Sequence, residues 1–96
     1  MRLTADFPTT RGPQLLATMS KHFGHKIDVD MLDDRSSFHF EMGEAEIETT
    51  AEGLRLTADA PDEGGLQRTC EVLESHLLRF AHREDPQPLR WSAAAG

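Results

Sequence analysis

A chain of 96 residues is one domain with a modest core, so each large apolar residue counts. With 38% hydrophobic and 28% charged residues it has the balance of a soluble globular protein, and no apolar run approaches the ~20 residues of a membrane-spanning helix. A net charge of −7 with neutral histidines repels phosphate backbones and argues against nucleic-acid partners.

In chain order, Leu3, Ala5 and Phe7 alternate with Arg2, Thr4 and Asp6, the two-residue period of a strand that stops at Pro8. Thr9 or Thr10 offers a cap for a first helix over about residues 10 to 23, in which Leu15, Leu16, Met19 and Phe23 recur at helical spacing. Gly24 stands where a left-handed helix end is expected. Ile27 and Val29 alternate with Lys26, Asp28 and Asp30 as a second strand, and Asp33-Asp34-Arg35-Ser36 is a turn cluster.

Phe38, Phe40 and Met42 share one face, with Ser37, His39 and Glu41 on the other, before a tight turn at Gly43. Ala45, Ile47 and Thr49 alternate with Glu44, Glu46 and Glu48. After a turn at Glu52-Gly53, Leu54, Leu56, Ala58 and Ala60 alternate with Arg55, Thr57 and Asp59. Pro61-Asp62-Glu63 opens a second helix with two acids at its positive end, and Gly64-Gly65 weakens its first turn, so regular helix is expected to start late. Leu66, Cys70, Leu73, Leu77 and Phe80 carry its apolar stripe to about residue 81. Pro86 and Pro88 stop it, Leu89 and Trp91 suggest a short last strand, and residues 92–96 read as a frayed tail.

Strands with one apolar and one polar face form antiparallel sheets covered on the apolar side. The expected fold is therefore a single α+β domain over 1–96, a two-layer sandwich with two helices packed on one face of an antiparallel sheet. Four consecutive strands between the helices would make the helices antiparallel, with the end of the first near the start of the second. If Glu41-Met42-Gly43-Glu44 is a bulge, one strand drops out and both basic helix ends lie at one sheet edge.

The lone Cys70 excludes a disulfide framework and cysteine-based metal motifs. Its place in the apolar stripe favours a packing role over a nucleophilic one. The segment Met1 to Asp6 lacks the apolar stretch of a secretion signal, so a cytoplasmic location is expected. Lys21-His22-Phe23-Gly24-His25-Lys26 is the densest functional-looking segment. With His76 from the second helix, His22 and His25 make a three-imidazole candidate for zinc or iron. The competing reading is that basic residues gather at helix C-termini to offset the dipole. Lys21, Arg79 and Arg83 are candidates for an anionic ligand; the alternative is a solvated helix end with arginine–carboxylate pairs. Glu41, Glu44, Glu46, Glu48 and Asp59 crowd the outer sheet face, where His39 among them is expected to titrate high.

The two segments Lys21-His22-Phe23-Gly24-His25-Lys26 and His76-Leu77-Leu78-Arg79-Phe80-Ala81-His82-Arg83-Glu84, followed by Trp91, resemble a bacterial family known as domain of unknown function 2218. The resemblance covers nearly the whole chain and implies a small α+β domain with no established activity. Some relatives are joined to siderophore-interacting flavoproteins, which implies a link to iron handling and such a flavoprotein as partner. The motif positions carried over are Lys21, His22, Phe23, His25, Lys26, His76, Arg79, Phe80, Arg83 and Glu84; His82 departs from an apolar position of the family. The resulting expectation is a non-enzymatic accessory or binding domain tied to iron or siderophore metabolism, with no membrane or nucleic-acid partner. The alternatives are a small metal-dependent enzyme using the same histidines, or a structural module that forms a homodimer.

Overall fold

A computed structural model describes residues 1–93. The elements are β1 (Arg2–Pro8), α1 (Gly12–Gly24), β2 (Asp28–Met31), β3 (Arg35–His39), β4 (Glu44–Thr49), β5 (Gly53–Asp59), α2 (Glu63–Phe80) and β6 (Ser92–Ala93), with a 3₁₀ turn at His82–Glu84. The strands form one six-stranded sheet in the order β2-β3-β4-β5-β1-β6, antiparallel at every step. The α+β sandwich expected from the alternating strands is the fold.

Period-two alternation places Phe38, Ala45, Ile47, Leu54 and Leu56 on the inner face, all buried. Leu15, Leu16, Met19 and Phe23 of α1 and Leu73 and Leu77 of α2 close over them in one core. Each of these side chains larger than alanine contributes ~1.5–3 kcal/mol of transfer free energy. Three buried hydroxyls, of Ser20, Ser36 and Thr69, are all paired, Thr69 donating to the Gly65 carbonyl at 2.8 Å. Ser20 Oγ lies 2.7 Å from the Leu16 carbonyl and 2.6 Å from Ser36 Oγ, tying α1 to β3.

Several boundaries depart from expectation for local reasons. Gly24 is not left-handed; the last turn of α1 closes on the Phe23 carbonyl, which accepts from the N–H groups of Lys26 and Ile27. Neither Thr9 nor Thr10 caps α1, whose N-cap is Arg11; the Thr9 hydroxyl instead accepts from the Arg11 N–H at 3.0 Å. The second helix starts promptly, because the Asp62 side chain accepts from the Gly65 N–H at 2.6 Å. Gly65 serves packing there, since a Cβ would sit 2.5 Å from the Met42 carbonyl oxygen. The last strand falls at Ser92–Ala93 beside β1, not at Leu89–Trp91, so the expected tail begins as ordered sheet edge; residues 94–96 lie outside the described residues.

Glu41 to Gly43 forms a turn, closed by the Phe40 N–H on the Gly43 carbonyl at 2.9 Å, so all four strands between the helices are present. The helices accordingly run antiparallel. His22 near the end of α1 meets His76 of α2, while Thr9 just before α1 meets Glu84 just after α2. They are staggered, however. The start of α2 lies about 20 Å along its axis from His76, at ~1.5 Å per residue. The end of α1 therefore faces the last third of α2 and not its beginning, which corrects the expectation drawn from strand count alone.

Candidate functional site

Position 22 flanks the Met19–Phe23 core stripe of α1, and position 76 lies one residue before buried Leu77 of α2. Both histidines thus sit at the border of the core, on the line where the two helices touch. Their ring centroids are 5.0 Å apart with a 44° tilt. Phe23 is 5.1 Å from His22 and 4.8 Å from His76, and Phe80 is 5.4 Å from His22. Phe40 closes the group by meeting Phe23 edge-on at 5.2 Å.

His76 Nδ1 lies 2.8 Å from the Val72 carbonyl, which accepts; that nitrogen therefore carries a proton. His22 Nε2 is buried and meets no donor or acceptor. Desolvation pushes the His22 pKa below its usual value, and His76, Lys26, Arg79 and His25 add repulsion in that order. His22 is consequently neutral at neutral pH: a desolvated imidazole in a cationic corner of an acidic protein.

The structure brings together His22 and His76 but not all the residues singled out beside them. His25 is exposed in the turn after α1. Among the described residues no group of three or more His, Cys, Asp or Glu side chains could hold a metal ion, so three histidines around a resident zinc or iron do not fit this arrangement. Lys21, Arg79 and Arg83 are exposed. Among the described residues none of them forms an ion pair, and the expected arginine–carboxylate pairs at the helix ends are absent. Arg79 is the one of the three whose charge is felt at His22. Lys26 acts there too and was legible only as a motif position. Phe40 was legible as a core residue; nothing in its spacing marks it as a neighbour of the histidines.

The outer sheet face presents a different arrangement. His39 Nε2 lies 2.9 Å from Asp30 of β2 and Nδ1 lies 3.2 Å from Glu44 of β4. These carboxylates raise its pKa, as expected, with Asp30 the larger influence. The shallow outer groove of about 290 Å³ around it is lined by Arg2, bound to Asp59 at 3.0 Å, by His39 with Glu44, and by Glu46. Cys70 is buried in α2, and desolvation, with Glu74 and Glu71, pushes its thiol up to about 11. It packs and is no nucleophile at neutral pH.

Among the described residues no helix is long and apolar enough to cross a membrane. A family described as an uncharacterised protein conserved in bacteria, DUF2218, matches residues 4–92. A solved structure, the NMR structure of PA4090 from Pseudomonas aeruginosa, superposes with a TM-score of 0.77 at 22% identity, covering 99% of this chain and 97% of that one. At that identity the likeness is one of fold. No curated protein matches the chain.

Proposed function

The chain belongs to the DUF2218 family, and from that premise we propose that it is a non-enzymatic binding domain that takes a small anionic ligand at the His22–His76 pair. The observation that carries this reading is the buried, unpartnered Nε2 of a neutral His22, 5.0 Å ring to ring from His76. Arg79 and Lys26 supply the positive charge that an anion needs. An unmade hydrogen bond at a buried polar atom costs ~1–3 kcal/mol, which a ligand group reaching it would relieve. An anionic iron chelate is the ligand class suggested by the resemblance to flavoprotein-linked relatives, and in that reading a siderophore-interacting flavoprotein is the partner.

The non-enzymatic part of the reading is supported by the state of one hydroxyl–imidazole contact among the described residues. The Ser75 hydroxyl is 3.4 Å from His76 Nδ1, but that nitrogen's proton is directed to the Val72 carbonyl, so it has no lone pair to take a proton from serine.

Calorimetric titration with ferric citrate, iron-free citrate and zinc chloride tests the reading on wild type, His22→Ala, His76→Ala and Arg79→Ala. Saturable binding of ferric citrate that His22→Ala abolishes and Arg79→Ala weakens supports the iron-chelate version. Equal binding of iron-free citrate reduces it to plain anion binding. No response to either citrate would sink it.

A further inference from the structure

β2 is an edge of the sheet, paired with β3 on one side only. The Leu32 N–H donates to the Arg35 carbonyl at 2.8 Å. Bonded and non-bonded pairs alternate along an antiparallel ladder, so Asp28 and Asp30 turn their backbone groups toward β3, and Val29 and Met31 turn theirs away from it. The far side of β3 has the matching parity, with the Asp34 carbonyl and the Phe40 N–H bonded on the β4 side at 2.8 and 2.9 Å. Among the described residues no backbone bond from elsewhere reaches Val29 or Met31. Two N–H and two C=O groups therefore stand open in a row. The strand has no lysine, proline or bulge to keep another strand off; its two acids are its only guard.

The two flanks of this edge differ. Val29 lies opposite buried Phe38 and Met31 opposite buried Ser36, so both side chains point to the helix side of the sheet. Val29 packs on the core. Of the three large apolar residues exposed among the described residues, Met31 at 65% ends this strand and Leu32 at 58% follows it. Asp28 and Asp30 line the other flank. Asp30 is held by His39 at 2.9 Å, whereas Asp28, Asp33 and Asp34 form no ion pair among the described residues. From Lys26 to Arg35 the chain sets four carboxylates against two cations.

We propose that the β2 edge takes an extended segment of a partner protein as an added antiparallel strand, with apolar residues opposite Val29 and Met31 and lysine or arginine opposite Asp28 and Asp30. Main-chain bonds hold such a strand, and its alternate side chains meet the two flanks, the apolar ones extending the inner layer over Val29 and Met31. The acids select for a basic strand, since opposite charges across a ladder attract and like charges repel. They also disfavour a second copy of this chain. Antiparallel pairing of Val29 with Met31 of a copy sets Asp30 opposite Asp30. Pairing Val29 with itself sets Asp28 opposite Asp30, and pairing Met31 with itself sets Asp28 opposite Asp34. This surface does not use the histidine pair and does not depend on it.

The test is an amide NMR titration of the full chain with a capped heptapeptide of alternating valine and lysine. Its controls are the same peptide with glutamate for lysine and one whose valines are N-methylated, which lack the donors for Val29 and Met31. The lysine peptide is expected to shift the Val29, Met31 and Leu32 signals saturably and to slow hydrogen exchange at Val29 and Met31. Each control should bind at least tenfold more weakly. Met31→Pro removes only an outward N–H and should abolish binding with the Phe38 and Ile47 signals in place; His22→Ala should leave binding unchanged. Equal binding of either control, no saturable shift, or shifts confined to other parts of the chain would overturn the proposal. Concentration-dependent shifts of Val29 and Met31 without peptide would overturn it too, by assigning the edge to a second copy. If Met31→Pro does not fold, the comparison of the three peptides on wild type decides by itself.

Discussion

Two histidines on opposite faces of the sheet show how environment, not residue type, sets chemistry. His22 lies among phenylalanine rings and helix-end cations, and its proton affinity falls. His39 lies between two carboxylates on the polar face, and its affinity rises. The first is a neutral imidazole with an unused buried nitrogen; the second is bonded at both nitrogens. Of the two buried polar atoms without a partner among the described residues, His22 Nε2 and Glu84 Oε2, one thus lies where the helices meet.

The largest expected effect comes from removing the packing that creates the first environment. Phe23 is 4% exposed and touches both histidines, so Phe23→Ala should cost ~3–5 kcal/mol in urea unfolding and move the His22 NMR titration back toward the ordinary value. Retention of the lowered value would mean that charge, not burial, governs His22.

Cys70 extends the comparison to a group whose charged form is the deprotonated one. Burial lowers a histidine pKa and raises a thiol pKa for one reason: both shifts disfavour charge. With its pKa at about 11, Cys70 should react with a maleimide at pH 8 on the order of a hundredfold more slowly folded than in urea.

Smaller effects follow from pH. Between His22's lowered folded value and the ordinary 6.5 the unfolded chain binds the extra proton. Stability should therefore fall as pH drops through that window, and His22→Gln should flatten this slope in urea-unfolding series. His39 acts on the other side. Its stabilising contribution is complete below 6.5 and is lost as pH rises through its raised folded value. Together the two place their joint optimum near 6.5. Asp30→Asn should shift the His39 titration down more than Glu44→Gln does, because Asp30 is its larger influence. The stability change should be slight, since exposed pairs contribute little.

Much of the fold was legible because its signals are periodic. Phe38-His39-Phe40 or Glu46-Ile47-Glu48 can place only one kind of side chain inward, whatever the neighbouring strands do. The raised titration of His39 was legible too, since acids dominate its face. The helix pair was less so. Its direction hung on a strand parity that only the Phe40–Gly43 turn settles, and its stagger goes with how closely Gly65 approaches the Met42 carbonyl, a contact distant in the chain. Lys21 and Arg83 were indistinguishable from Arg79 and Lys26 by motif, because motif membership carries no information on which charges are felt at His22.

By itself the sequence determined the layers, the inward core and the polar sheet face, because alternation and helical spacing are local properties of the chain; it left open whether Glu41 to Glu44 turns between two strands or is a bulge that removes one. It also marked His22 and His76 as polar residues that packing does not require. Only the tertiary structure decided that these two meet, that His25 stays apart, and that Glu84 and His22 each keep a buried atom without a partner. Such facts depend on stagger and long-range register, which settle only when the core closes.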